Sequence, residues 1–228
     1  MSFSKHTRTG RPRSAEADTA ILDATRAALV ELGWSRLTMG DVATRAGVAK
    51  TTLYRRWANK NELVVDAVAV LFDELDLPDL GSLTDDIEGV VLQFAALLAR
   101  PETKTALMAV VAESIGDEAL RGRIRSAIVD RQKRLVTLGR ERAQARGELP
   151  YEDDPDASDR QTDLIFDVVA GAVVHRALIS AEPVDATWAR DFTLLLCTGL
   201  NPAIPPGAAG IAAGAPGPVT RQNPGGSV

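Results

Sequence analysis

Apolar side chains recur every three or four residues along most of the chain up to about residue 200. This spacing places them on one face of an α-helix. The first helix is predicted from about Ala15 to Leu32, with Gly33 as its end. Further helices are predicted over about 60–75, from Ser82, from Pro101, over 117–147, over about 157–180 and from Asp185. Together with two short helices between residues 38 and 57, the pattern predicts an all-α fold of about nine helices.

The segment over residues 38–60, TMGDVATRAGVAKTTLYRRWANK, predicts two short helices joined by a tight turn and the start of a third. Thr38 and Asp41 have the spacing of an N-cap residue and its N3 partner. Gly47 fits the position after a helix, where the left-handed conformation is common. The segment is therefore typical of a helix-turn-helix.

The second short helix, predicted over residues 49–57, buries Leu53 and Trp57 and presents no acidic residue outward. The outward residues are Lys50, Thr51, Thr52, Tyr54, Arg55 and Arg56. In a major groove about 12 Å wide, Lys or Arg can reach guanine acceptors and a Thr methyl can contact thymine. The next helix begins with a predicted cap at Asn59, and its N-terminus, which carries Lys60, suits a phosphate. We therefore predict sequence-specific binding of duplex DNA.

The sequence LTMGDVATRAGVAKTTLYRRWANKNELVVDAV resembles the N-terminal DNA-binding domain of TetR-type (TetR/AcrR) transcriptional regulators, and the similarity covers about residues 16–70. The resemblance implies that Thr38 and Gly40 lie at the start of the second helix, close to the DNA backbone. It places Lys50, Thr51, Thr52 and Arg56 on the recognition helix and gives phosphate contacts to Tyr54 and Lys60. Gly40 departs from family members that carry a long polar side chain there, so we expect no base contact from it. We interpret Trp57 as a core residue.

Charge is distributed unevenly, although the total is −5. Residues 1–60 contain 11 Lys and Arg against 5 Asp and Glu, a net charge of +6, and the remainder carries −11. The basic part coincides with the predicted helix-turn-helix. Residues 1–14 are predicted to be a disordered basic arm, in which Arg11 and Arg13 either contact an adjacent minor groove or add only nonspecific attraction. The Gly-, Ala- and Pro-rich residues 201–228 are predicted to be a disordered tail.

Residues 15–60 are predicted to form the DNA-binding domain, and residues 61–200 a helical ligand-binding and dimerisation domain. The last two helices carry more apolar surface than one neighbouring layer would cover, which favours a homodimer. The resemblance implies the same, because TetR-type regulators are usually homodimers joined by these helices. Two-fold symmetry would then match a palindromic operator. The candidate dimerisation residues are Val173, Ala177, Trp188, Phe192 and Leu195.

The candidate function is a transcriptional repressor that a small hydrophobic ligand releases from DNA; repression itself is implied by the resemblance. The ligand would enter a pocket enclosed by the predicted fourth to eighth helices and favour one separation of the two recognition helices. The candidate lining residues, which suit a hydrophobic or aromatic ligand, are Phe72, Phe94, Met108, Val111, Phe166, Val169 and His175. One alternative is a nonspecific or architectural dimeric DNA-binding protein without an effector. Another is a ligand-binding protein that has lost its DNA function.

Catalysis and metal binding have little support in the sequence. His175 has no second ligand three or four residues away, and the acidic stretch 151–159 lacks the Gly and distal Glu of an EF-hand loop. The single cysteine, Cys197, excludes an intramolecular disulfide and fits a reducing cytoplasm. The sequence contains no run of about 18 apolar residues, so it predicts no membrane span. We therefore expect a cytoplasmic protein with no enzymatic activity, no cofactor and no bound metal.

Overall fold

The computed structural model describes residues 12–200, and all regular secondary structure in this range is helical. The α-helices are α1 (Pro12–Arg36), α2 (Met39–Arg45), α3 (Lys50–Tyr54), α4 (Lys60–Phe72), α5 (Leu83–Ala99), α6 (Pro101–Ser114), α7 (Glu118–Ile124), α8 (Asp130–Ala145), α9 (Pro155–Val174) and α10 (Ala186–Leu200). Two π-helical segments, π1 (Arg125–Val129) and π2 (His175–Ile179), join α7 to α8 and extend α9. The described residues therefore form nine helical rods, which confirms the predicted all-α fold.

Local capping determines where most of these helices begin. In each case a side-chain oxygen of the residue before the helix accepts a hydrogen bond from a backbone N–H of the first turn. The sequence predicted these caps, which are Thr38, Asn59, Ser82, Asp117 and Asp185.

Several helix boundaries differ from the prediction, and two of them concern the DNA-binding part. Helix α1 begins at Pro12, so residues 12–14 belong to its first turn rather than to the predicted arm. Residues 1–11 and 201–228, with the rest of that arm and the predicted tail, lie outside the described residues. Helix α3 ends at Tyr54 rather than near Trp57, because the N–H groups of Arg56 and Trp57 both donate to the Leu53 carbonyl and tighten the last turn.

Helix α4 lies at the centre of a hydrophobic core that runs without interruption from α1 to α10. Its Leu63, Val64 and Val68 are fully buried, and α4 packs against α1, α6 and α7. Helix α1 packs against α2, α4 and α6. The helix-turn-helix is therefore joined to the rest of the molecule through shared packing, and α4 belongs to both parts.

The connection between α4 and α5 and the start of α5 are held by two arginines, one in the last turn of α8 and one just after it. Arg142 donates to the carbonyl oxygens of Leu77 and Pro78, at 2.9 and 3.2 Å. The guanidinium of Arg146 pairs at 2.9 Å with Asp86, whose side chain is fully buried. These bonds fix the path of the chain where it leaves α4.

Candidate DNA-binding surface and effector cavity

The start of α2 is fixed by a capping box between Thr38 and Asp41. The Asp41 N–H donates to Thr38 Oγ1 at 3.2 Å, and the Thr38 N–H donates to the Asp41 carboxylate at 3.0 Å. The Thr38 hydroxyl also donates to this carboxylate, at 2.6 Å, and this hydrogen bond lowers the pKa of Asp41. The Thr38 side chain is therefore engaged within its own turn.

Gly40 and Lys50 meet across the turn of the helix-turn-helix. A Cβ atom at position 40 would lie 2.8 Å from both Cε and Nζ of Lys50, so the lysine side chain crosses directly over this glycine. The absence of a side chain at Gly40 is what allows this close approach. Lys50 remains exposed, and its ammonium group sits where α2 and α3 come together.

The outer face of α3 presents polar side chains to solvent. Thr51, Tyr54 and Arg55 are exposed, with 55% of Tyr54 accessible, while Thr52 is half-buried. Arg56 follows α3 and forms an ion pair with Asp18 of α1. The sequence placed Arg56 on the recognition helix. In the structure its guanidinium instead pairs with Asp18 and holds this turn against α1.

Two aromatic residues of the helix-turn-helix are engaged by α4. Trp57 is buried, as predicted, and its indole Nε1 donates to Asp66 at 2.8 Å. Lys60, at the first position of α4, donates to the Trp34 carbonyl at 2.9 Å, and its ammonium lies 4.7 Å from the centre of the Trp34 ring. An ammonium has three N–H donors, so this bond leaves donors for a phosphate. Of the two arm candidates, Arg13 lies in the first turn of α1 and Arg11 lies outside the described residues.

A cavity of about 290 Å³ lies in the C-terminal part, between the end of α4 and helices α5 to α9. Five of the seven predicted lining residues surround it: Phe72, Phe94, Val111, Phe166 and Val169. The ring centres of Phe72 and Phe94 are 5.9 Å apart. The prediction was wrong for Met108 and His175, which are exposed, whereas their chain neighbours Leu107 and Val174 line the cavity. The sequence identified the correct helices but not the rotation of each one about its axis.

Three polar residues at this cavity were not predicted from the sequence: Asp86, Gln132 and Arg140. Each is buried, although residues of these types are mostly exposed in folded proteins. Asp86 accepts from Arg146 and from the Leu80 N–H at 2.7 Å. Hydrogen bonds from Arg146 to Glu148 and to Asp86 raise the pKa of the Arg146 guanidinium. No pattern of spacing would have identified these residues, because their burial depends on packing between distant helices.

The candidate dimerisation residues differ in how far they are exposed on a single chain. Val173 is fully buried in the core of its own chain, so the prediction that it faces a partner was wrong. Trp188 and Phe192 stack with ring centres 5.1 Å apart and are half-buried, as is Ala177. Leu195 is 74% exposed. Further exposed apolar residues on α9, π2 and α10, which the sequence did not single out, are Leu164, Val168, Ile179 and Leu194.

Residues 12–200 contain neither a cluster of metal-binding side chains nor a helix that could span a membrane. This range contains no group of three or more His, Cys, Asp or Glu side chains placed to hold a metal ion. None of its helices is both long enough and apolar enough to cross a membrane.

The architecture, a helix-turn-helix joined by α4 to a larger helical part with an apolar cavity, is that of a helical DNA-binding regulator. Residues 21–67 match the family model for bacterial regulatory proteins of the tetR family, and residues 77–195 match the model for the tetracyclin repressor-like C-terminal domain. The chain belongs to the TetR family and is a DNA-binding transcriptional regulator, as the resemblance implied.

Relatives and solved structures agree with this assignment. The chain is 30% identical over 198 residues to the uncharacterized HTH-type transcriptional regulator YdeS of Bacillus subtilis, covering 84% of this chain and 93% of that protein. It is 31% identical over 182 residues to the DNA-binding transcriptional repressor TetR of Mycobacteroides abscessus, covering 78% and 88%. The crystal structure of the TetR family transcription regulator SCO0332 superposes with a TM-score of 0.65 at 27% identity, covering 82% of this chain and all of that one.

Proposed function

We propose that this protein is a homodimeric repressor that binds a palindromic operator and is released from it by a small hydrophobic effector. The observation that carries the proposal is the position of α4. Its last residue, Phe72, lines the cavity, and its first residue, Lys60, donates to the Trp34 carbonyl near the end of α1. A ligand that changes the packing at one end of this helix would therefore move the helix-turn-helix at the other end.

The DNA contacts that we propose follow from exposure and charge. Lys50, Thr51 and Arg55 are exposed donors on or next to α3 and would enter the major groove. Tyr54 and Lys60 would bind phosphates, and the α2 start at Thr38 and Gly40 would approach the backbone. Thr52 is half-buried and would contribute mainly its methyl group, while Arg56 would hold α3 in place through Asp18.

The dimer that we propose is formed by α9, π2 and α10. Their exposed apolar residues form part of the outer surface of a single chain, where an apolar patch of this kind is costly unless a partner covers it. Leu195, at 74% exposed, would be central to this contact. Pairing through a two-fold axis would present two α3 helices to two half-sites of the operator.

Release by an effector requires different affinities of the ligand for two conformations. A ligand that prefers the conformation with the wrong separation of the α3 helices lowers the affinity for the operator. Because this coupling is reciprocal, operator DNA lowers the affinity for the ligand by the same factor.

The DNA-binding part is tested with the full chain, the DNA upstream of its own gene and a scrambled duplex of the same composition. We expect a preference of about a thousandfold for the upstream DNA at physiological salt. Lys50→Ala should weaken operator binding about tenfold, since a specific base contact contributes about 1 to 3 kcal/mol. Lys104→Ala removes the same charge from α6 and should leave the affinity unchanged. Equal affinity for both duplexes, or equal effects of the two variants, would contradict operator recognition by α3.

The effector part is tested with a variant that fills the cavity. Ala170 lines the cavity and is half-buried, so Ala170→Phe should occupy the space that a ligand needs. We expect this variant to bind the operator normally but not to be released by hydrophobic compounds that release the natural chain. Continued release of the variant would show that effectors act elsewhere.

A further inference from the structure

The wall of the cavity between the end of α4 and helices α5 to α9 presents only carbon atoms to its interior. All but three of the lining residues are Leu, Ile, Val, Phe, Ala or Gly, and no nitrogen or oxygen atom is accessible from inside the cavity. A ligand in this space therefore meets no hydrogen-bond donor or acceptor.

The three polar lining residues direct their polar atoms away from the cavity, into the surrounding protein. The Asp86 carboxylate pairs with Arg146 at 2.9 Å. The Arg140 guanidinium donates four hydrogen bonds to groups of α9, at 2.8 to 3.0 Å. Gln132 Nε2 donates to the Phe72 carbonyl at 3.0 Å, and Gln132 Oε1 is buried within the wall, where no group in residues 12–200 donates to it. These three side chains contribute only carbon atoms to the cavity surface.

A cavity with such a wall holds neither water nor a polar group of a ligand. A buried water needs two to four polar partners, and an engineered apolar cavity of about 150 Å³ in another protein stays dry and binds benzene. The cavity of about 290 Å³ is roughly twice as large, which suits about two aromatic rings. A hydroxyl group that is buried without a partner lowers the affinity of a ligand about tenfold to a hundredfold, and an ionised group lowers it more.

We infer that the effector is a small hydrocarbon, of about two aromatic rings in size, with no hydrogen-bonding group on the part that enters the cavity. The inference rests on the proposed effector cavity and specifies its ligand class. Phenols, amines and carboxylates of the same shape are rejected because they lose their hydrogen bonds to water and find none in the protein.

The aromatic residues of the wall favour an aromatic hydrocarbon. Phe72, Phe94 and Phe166 all line the cavity. The rings of Phe72 and Phe94 are inclined at 58° with their centres 5.9 Å apart, which is within the range of favourable aromatic pairs. Phe72 is the last residue of α4, so a ring bound against it would contact the helix that joins the cavity to the helix-turn-helix.

The test compares naphthalene with 1-naphthol and 2-naphthol, which add one hydroxyl group to the same two rings. Binding of each compound to the full chain is measured by equilibrium dialysis below its solubility in water. We expect naphthalene to bind at least about tenfold more tightly than either naphthol, because the cavity offers the hydroxyl group no partner. A naphthol that binds as tightly as naphthalene would overturn the inference and leave the effector cavity intact.

Two variants assign the binding to this cavity. Ala170→Phe fills the space and should weaken the binding of naphthalene at least about tenfold, whereas Ala119→Phe adds the same ring at an exposed position of α7 and should leave it unchanged. If Ala170→Phe does not fold, the comparison of the three compounds on the natural chain still decides the question. Undiminished binding to a folded Ala170→Phe variant, or no binding of any of the three compounds, would overturn the proposed cavity and the inference with it.

Discussion

Replacing Arg140 by Met should destabilise the protein by about 2 to 4 kcal/mol. Arg140 is buried and is 7% exposed. Its guanidinium joins α8 to α9 through the Ser158 carbonyl and the side chains of Ser158, Gln161 and Thr162. Methionine retains an unbranched apolar stem at the cavity wall, so the substitution removes mainly the hydrogen bonds.

The magnitude follows from two opposing effects. Hydrogen bonds to a charged group contribute about 1.5 to 3 kcal/mol each, which would give a much larger total for four bonds. Against this, burying a guanidinium costs several kcal/mol, and the substitution recovers that cost. Ser158 and Gln161 are half-buried and can bind water instead, whereas Thr162 is buried and cannot. The net loss of about 2 to 4 kcal/mol is of the size reported for breaking buried polar networks.

The assay is urea unfolding of Arg140→Met and Arg160→Met, followed by circular dichroism at one protein concentration, because a dimer unfolds in a concentration-dependent way. Arg160 is the control: it lies on α9 between the residues that Arg140 contacts, is 71% exposed and pairs with Asp154 at 3.7 Å. Its loss should cost less than about 0.5 kcal/mol. Arg140→Lys keeps the charge but not the planar fork, so it should fall between Met and the natural chain. Equal unfolding midpoints for the two Met variants would refute the reasoning.

Three further predictions concern other parts of the molecule. Trp57→Phe removes the hydrogen bond to Asp66 and should cost about 1.5 kcal/mol in urea unfolding, because the partly exposed carboxylate can rehydrate; an unchanged midpoint would contradict this. Leu195→Asp should convert the dimer to a folded monomer in sedimentation, whereas Leu80→Asp, also at an exposed leucine, should not; a dimer in both cases would exclude the proposed interface. Burial raises the pKa of the Cys197 thiol, so iodoacetamide at neutral pH should modify it several-fold more slowly in the folded chain than in urea. Equal rates would show that the thiol is freely accessible.

The sequence by itself determined the helices, most of their starts and the DNA-binding motif. The caps at Thr38, Asn59 and Ser82 and the turn at Gly47 depend on hydrogen bonds and backbone angles within a few residues. Tyr54 is exposed at the end of α3, and Trp57 is buried just after it, as the local sequence pattern indicated. Such features are readable because the interacting groups are neighbours in the chain.

Tertiary structure decided which other residues the basic side chains of the DNA-binding part contact. Lys50 crosses over Gly40, Arg56 pairs with Asp18, and Lys60 donates to Trp34. Each partner lies on another helix or connection, so a count of positive charges predicted a basic surface but not which of its groups are already bound.

The cavity and the exposed apolar face of α9, π2 and α10 were also decided by tertiary structure. Successive residues of a helix are separated by about 100° around its axis, so a small error in orientation exchanges a lining residue for its neighbour. This is why Val173 faces the core and why Met108 and His175 miss the cavity that Leu107 and Val174 line. The buried, unmatched oxygen of Gln132 arises in the same way, since it depends on how α8 packs against the end of α4. Periodicity specifies that a helix has a buried face, and only the packing of distant helices determines what that face meets.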